Sequence, residues 1–213
     1  MDVSITSVSA GGLGEIVVTF EIREGSNRSV SRFLISDAAY IELSLAVGIS
    51  SSTVYDAVER EANIYQAYKK ALYLLGYNSA SRKALLRKLV EKGCDAEYSS
   101  LALDRLEANG MLREMDFALR EGERCLVKLW GRERIRMHLR EKGYSDESIN
   151  SVFFAFEDNG VDFDENCALL LEKKYSHIPT DKKELQKVIA SLMRYGYSLS
   201  QIKAAIGSIK GSS

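Results

Sequence analysis

Arginine and lysine side chains, gathered in three short segments, are the groups in this 213-residue chain whose types and spacing could do chemistry. Each segment has helical spacing, and cationic side chains along a helix form hydrogen-bonded ion pairs with phosphate or carboxylate groups. The residues are Arg82, Lys83, Arg87 and Lys88 in the first segment, Arg132, Arg134, Arg136 and Arg140 in the second, and Lys182, Lys183, Lys187 and Arg194 in the third. They are the candidate contact residues for an anionic partner.

The distribution of charge leaves two interpretations of these segments open. The net charge of the chain is −1, so an anion-binding surface must come from local segregation of charge. The segments that follow the first two basic ones, at 94–110 and 144–160, are acidic. Basic and acidic helices then either lie side by side and neutralise each other in solvated ion pairs, or the basic helices line one face that meets phosphates or an acidic protein surface.

No catalytic or metal-binding pattern accompanies the basic residues. The chain has no GxxxxGK[ST], HExxH or GxSxG motif, and the GGLGE turn at 11–15 precedes a strand instead of following one. His138 and His177 are far apart, and the cysteines are odd in number with no CxxC pair. We therefore expect a non-enzymatic protein with reduced cysteines, no catalytic residue, no metal site and no cofactor.

The ends of the chain and its hydropathy bear on its location. The N-terminus lacks the basic and apolar regions of a signal peptide, and no stretch approaches 18 apolar residues. We expect a cytoplasmic monomer with no membrane partner.

The first part of the chain is predicted to contain strands. Residues 1–35 alternate and are rich in β-branched and aromatic side chains, which favours two or three antiparallel strands. Ser36 is the predicted N-cap of a short helix. Residues 47–50 interrupt the helical spacing, and 51–77 carry one long helix or two abutting helices.

The remainder repeats itself. Residues 81–127 match 131–177 at a shift of 50, and the second copy matches the third at a shift of 53. In each copy a glycine ends one helix at the left-handed C′ position, and an oxygen-bearing side chain two residues later caps the next helix. These pairs are Gly93 with Asp95, Gly143 with Ser145, and Gly196 with Ser198.

This pattern predicts a mainly α fold. We expect three tandem three-helix repeats forming an elongated, curved array, preceded by a small N-terminal antiparallel β-hairpin or sheet extension. The predicted domains are 1–62 for the β-containing extension with its short helix, 63–112 for the first repeat, 113–160 for the second and 161–213 for the third.

Four segments of the chain resemble the RecX family of regulatory proteins, and the resemblance extends over nearly the whole chain. In the order and spacing typical of that family, the segments are ALYLLGYNSASRKALLRKLVEKG (71–93), LDRLEANGMLREMDFA (103–118), RERIRMHLREKGYSDESI (132–149) and LMRYGYSLSQI (192–202). The chain departs from the family at MLREMDFA, where a Leu-Asp-Asp run is common and only Asp116 is retained.

The resemblance implies a non-enzymatic regulator of the recombinase RecA. Family members bind the RecA filament on single-stranded DNA, in its groove or at its growing end, and restrain its extension, ATP hydrolysis, strand exchange and co-protease activity. Two alternatives stay open from the residues themselves. One is a module whose basic helices bind single- or double-stranded DNA directly, although each basic helix precedes its turn, whereas a recognition helix usually follows it. The other is a repeat scaffold for a different protein partner.

Overall fold

The computed structural model describes residues 2–77, 80–175 and 177–211. Over these residues the fold is mainly helical with an N-terminal antiparallel sheet, which confirms the predicted fold class. Residues 1, 78, 79, 176, 212 and 213 of the predicted domains lie outside the described residues. The strands are β1 (Asp2–Ala10), β2 (Glu15–Glu24), β3 (Asn27–Ser36) and β4 (Gly48–Ser50); the helices are α1 (Asp37–Glu42), α2 (Ser52–Tyr77), α3 (Arg82–Glu91), α4 (Ala96–Ala108), α5 (Glu114–Val127), α6 (Arg132–Glu141), α7 (Asp146–Asp158), α8 (Phe163–Lys174), α9 (Lys182–Arg194) and α10 (Leu199–Gly211).

The chain divides into two compact units. The first contains the residues up to 78 together with 85–112, and the second contains 79–84 and 113–213. α2 is a single helix that runs through residue 62 without a break. The predicted boundaries between the extension and the repeats stay predictions.

The sheet of the first unit buries one face against helices. Its strand order is β3-β2-β1-β4, and all neighbouring strands are antiparallel. Alternate residues such as Ile5, Phe20 and Ile35 point to the same side and are buried with Val58 of α2. The period of two that predicted the strands therefore also determines which face is covered.

The predicted interruption of the helical pattern at 47–50 lies between α1 and α2, and its last three residues form a strand that was not predicted. Gly48–Ser50 form β4, which pairs antiparallel with Val3, Ser4 and Ile5 of β1. A strand of three residues is too short to show an alternating pattern, and it forms because the edge of β1 supplies its hydrogen-bond partners.

The predicted turns between helices are confirmed. Gly93, Gly143 and Gly196 have φ angles of 80°, 84° and 92°. The residue after each glycine donates its amide back to the helix that has just ended; for example, Tyr144 N lies 3.1 Å from Leu139 O. This hydrogen bond is the one that defines a Schellman ending.

The predicted helix caps are confirmed as well. Asp95 and Ser145 accept hydrogen bonds from amides in the first turns of α4 and α7. Ser198 and Gln201 form a complete capping box, with Gln201 N 3.2 Å from Ser198 Oγ and Ser198 N 3.0 Å from Gln201 Oε1. These bonds explain why the sequence marks the beginnings of α4, α7 and α10 so clearly.

Candidate partner-binding surface

Three arginines of α6 face the acidic helix α7. Arg132, Arg136 and Arg140 are spaced by four residues and therefore lie along one side of α6. Arg132 Nη2 is 2.6 Å from Glu157 Oε1, and Arg140 Nη2 is 3.0 Å from Asp146 Oδ1. Because their partners lie at opposite ends of α7, the row of cations follows the whole helix.

Aromatic rings of the neighbouring helices also contact these guanidinium groups. The guanidinium of Arg132 lies 5.0 Å from the ring centre of Phe153 and 5.5 Å from that of Phe163. Arg136 lies 4.7 Å from the same Phe153 ring. Cation–π packing and ion pairs together hold these side chains against α7. On this side of α6, basic and acidic helices therefore lie side by side and neutralise each other.

Arg134 points away from that row, toward the turn between α9 and α10. Its guanidinium lies 4.0 Å from the ring centre of Trp130 and 5.0 Å from that of Tyr195. The side chain also donates a hydrogen bond of 3.4 Å to the main-chain oxygen of Arg194. Arg134 is therefore held between two aromatic rings, and its role in this structure is to join α6 to the C-terminal end of α9.

A groove opens beside this contact. It has a volume of ≈ 670 Å³, and its apolar lining includes Trp130, Met137, Met193 and Tyr195. Arg194 also lines it.

The basic residues of α9 form an exposed stripe. Lys183, Lys187 and Arg194 stand at positions i, i+4 and i+11, within about 40° of one another around the helix, and all three are exposed. Lys187 Nζ pairs with Glu184 at 2.7 Å, but both side chains are largely in water, where such a pair contributes little. Within 177–211 and the other described ranges, Lys183 and Arg194 have no carboxylate partner.

Lys182 lies apart from the stripe. It precedes Lys183 by one residue and is therefore rotated by about 100° around the helix, although it too is exposed.

The basic residues of α3 differ in exposure. Lys83 and Arg87 are exposed, while Arg82 and Lys88 are half-buried. Arg87 Nε lies 3.6 Å from Glu91 Oε1 in an exposed pair. Basic charge on α3 is thus partly balanced within the helix itself.

One acidic residue with a structural role was not anticipated. The carboxylate of Glu121 in α5 lies 2.7 Å from His138 Nε2, 3.3 Å from Arg124 Nη1 and 3.8 Å from Lys142 Nζ. Burial raises the pKa of its carboxyl, but the hydrogen bond from His138 and the nearby cations outweigh burial, and the net effect is a lowered pKa. Glu121 and His138 are 17 positions apart in the sequence, so local spacing does not predict this contact.

The described residues form no metal-binding cluster and no membrane-spanning helix. Among the described residues, no group of three or more His, Cys, Asp or Glu side chains is arranged to hold a metal ion. Burial raises the pKa of the Cys125 and Cys167 thiols to about 11. Over the same residues, no helix combines the length and the apolar character needed to cross a bilayer.

Comparison with known proteins gives one family. The family model described as RecX, third three-helix domain, matches residues 162–206. Regulatory protein RecX of Halorhodospira halophila is 30% identical over 136 residues, which are 63% of this chain and 83% of that protein. Regulatory protein RecX of Xanthomonas axonopodis pv. citri is 31% identical over 138 residues, which are 64% of this chain and 83% of that protein.

Two solved structures share the fold. A crystal structure of regulatory protein RecX has a TM-score of 0.70 at 22% identity, with 94% of this chain and 98% of that chain covered. The crystal structure of RecX from Lactobacillus salivarius has a TM-score of 0.60 at 23% identity, with coverage of 70% and 97%. At such identities the likeness is one of fold.

Proposed function

Because the chain belongs to the RecX family of regulatory proteins, we propose that it binds the RecA filament on single-stranded DNA and restrains its extension and ATP hydrolysis. Membership of this family is the observation that carries the proposal. The protein acts by binding, as a non-enzymatic regulator in the cytoplasm, and the basic residues contact the filament.

The stripe on α9 is the part of the basic surface best suited to a partner. Lys183 and Arg194 are exposed, and neither has a carboxylate as ion-pair partner within the described part of the chain. Their charge is therefore available to an acidic protein surface or to phosphates. Lys187 lies between them and is released from Glu184 at little cost, because that pair is exposed.

The arginines of α6 have a different place in the proposal. Arg132 and Arg136 pack on the ring of Phe153, so a partner would have to displace these contacts, whereas the Arg140–Asp146 pair is exposed and is released as easily as the Lys187–Glu184 pair. The first role of Arg132 and Arg136 is to hold α6 and α7 together, and their contribution to the partner is smaller than that of α9. The exposed Lys83 and Arg87 of α3 extend the proposed contact set.

The test is the ATPase rate of the cognate RecA on single-stranded DNA while this protein is titrated. Inhibition at a small fraction of the RecA concentration supports binding along the filament or at its end, because few copies then stop many subunits. An unchanged rate at equimolar protein overturns the proposal.

A matched pair of variants locates the surface. Lys183→Glu with Arg194→Glu reverses two exposed charges of the stripe, and we expect about tenfold more protein to be needed for half inhibition. Lys173→Glu with Lys203→Glu reverses two exposed lysines of α8 and α10 and changes the net charge equally. An equal loss of inhibition in both variants would assign the effect to total charge and would exclude the stripe as the contact surface.

Direct binding to DNA is a second candidate function, favoured by the unpaired cations Lys182, Lys183 and Arg194 among the described residues. It predicts salt-dependent affinity for single- or double-stranded DNA without RecA, and a shallower salt dependence in the stripe variant. If neither RecA nor DNA binds, the chain is a scaffold for another protein.

A further inference from the structure

The two edges of the N-terminal sheet are built differently. At the β1 edge, β4 covers only Val3, Ser4 and Ile5, and the register with β2 shifts between Ile5 and Ser7. A short edge strand and a bulge are common devices that prevent another strand from pairing.

The β3 edge lacks these devices. β3 pairs with β2 in unbroken register from Ser36 opposite Glu15 to Asn27 opposite Glu24, with no bulge and no proline. Among the described residues its other side pairs with no strand. Residues 27–30 and 32 are exposed, so a row of main-chain donors and acceptors is open to an incoming strand.

Side chains on the uncovered face of the sheet give this edge a positive charge. Arg28, Val30 and Arg32 alternate along β3 and point away from the helices, since Ser31 and Phe33 point toward α2. Val30 is 56% exposed between the two arginines. Arg32 is exposed and has no ion-pair partner in the described part of the chain.

The carboxylate of Glu21, on the neighbouring strand β2, is already bound by arginines. Glu21 lies opposite Val30 and accepts ion pairs from Arg23 and Arg28, both at 2.5 Å. Its side chain is 5% exposed, whereas those of the two arginines are 64% and 66% exposed. The guanidinium groups therefore cover the carboxylate and present their own outer sides to solvent.

We infer that β3 is a docking edge for an extended acidic segment of a partner protein, which adds a fifth strand antiparallel or parallel to β3 and places carboxylates against Arg28 and Arg32. Main-chain hydrogen bonds supply the binding, and alternate side chains supply the selectivity. An apolar residue between the two carboxylates covers Val30.

Charge argues against a second copy of the chain as the occupant. Pairing of β3 with itself would bring two further arginines to the same face, while Glu21 remains bound to Arg23 and Arg28. Like charges across neighbouring strands destabilise the pair, and carboxylates opposite arginines stabilise it. This inference does not depend on RecA, and its test contains no RecA.

The test uses the full chain and a fluorescent nine-residue peptide with Asp at every fourth position, Val midway between the Asp residues, and Thr at the remaining positions. We expect saturable binding by anisotropy, together with slower amide hydrogen exchange at 28–32. A second peptide keeps the acidic residues and places proline at every other position between them; since it cannot form the ladder, it should not bind. Equal binding of both peptides would indicate ionic attraction alone and overturn the inference.

Two variants complete the test. Arg32→Glu should weaken peptide binding about tenfold, because it replaces a cross-strand attraction by a repulsion. Lys203→Glu, an equal charge reversal at an exposed lysine of α10, should leave peptide binding unchanged. No saturable binding by the native chain, or dimerisation through β3 in sedimentation experiments, would overturn the inference.

Discussion

Gly131 and Gly196 touch through their backbones where α6 begins. A Cβ atom added to Gly131 would lie closer than 3.0 Å to the carbonyl oxygen of Gly196, and one added to Gly196 would approach the amide of Arg134 equally closely. The Gly131 amide donates to Tyr195 O at 2.7 Å, and the Glu133 amide donates to Gly196 O at 3.3 Å.

The same relationship occurs one repeat earlier. Ser81 and Gly143 stand at the positions equivalent to Gly131 and Gly196, and Ser81 Oγ donates to Lys142 O at 2.7 Å. The start of the second helix of one repeat therefore meets the turn of the next repeat in both places. This contact gives the repeated glycine a second role besides ending its helix.

Gly131→Ala is predicted to destabilise the chain by about 2–3 kcal/mol, because the added methyl group meets backbone atoms that cannot move aside. Gly207→Ala is the control: it lies in α10 with open space around it, and alanine should stabilise that helix by about 0.5–1 kcal/mol. The free energy of unfolding from urea titrations measures both changes. Equal stability of Gly131→Ala and the native chain would show that the two turns do not press on each other.

Glu114→Ala is predicted to destabilise the chain by about 1–3 kcal/mol. Glu114 accepts from the amides of Arg82 at 2.7 Å and Ser145 at 3.0 Å, and from Ser148 Oγ at 3.3 Å, so its loss removes three hydrogen bonds at once. Glu123→Ala, an exposed change on the same helix, should alter stability by no more than about 0.5 kcal/mol. Similar values for the two variants in thermal unfolding would contradict this role of Glu114.

The contribution of Glu121 is predicted to depend on pH. A carboxyl whose folded-state pKa is lowered stabilises the fold above its ordinary value of 4.5, and this stabilisation disappears as the pH falls through the lowered value. The native chain should therefore exceed Glu121→Gln in stability at pH 6 by about 1 kcal/mol, and the difference should shrink below pH 4.5. Unfolding at several pH values measures it, with Glu123→Gln as the control. A difference that stays constant down to pH 3 would show that the fold does not lower the pKa of Glu121.

Native-state thiol reactivity is predicted to be confined to one cysteine. Cys125 and Cys167 are buried with pKa values raised to about 11, whereas Cys94 is half-buried and lies 3.4 Å from Lys70 Nζ. At pH 8 a chromogenic disulfide reagent should therefore modify one thiol per native chain and three after denaturation. In Cys94→Ser the native-state reaction should vanish; a remaining fast reaction would place the reactive thiol elsewhere.

Much of the helical architecture is predictable because its signals are local. A helix end needs glycine for a left-handed turn, and the next helix needs an oxygen at its cap, so the recurrence of Gly143 with Ser145 and of Gly196 with Ser198 locates two helix junctions directly. The alternation in β2 and β3 similarly predicted antiparallel strands. The short β4 was not predicted, because only its pairing with β1 makes it a strand.

The candidate surface shows where local patterns stop being sufficient. The sequence by itself determined that the second helix of each repeat is basic and that Lys183, Lys187 and Arg194 share one side of α9, since both follow from composition and helical spacing. Only the tertiary structure decided that Arg132 and Arg140 are paired with α7, that Arg134 is held by Trp130 and Tyr195, and that the stripe on α9 stays exposed. The physical reason is that spacing along a helix determines which residues share a side, whereas the availability of a charge depends on which side chains the fold brings against it.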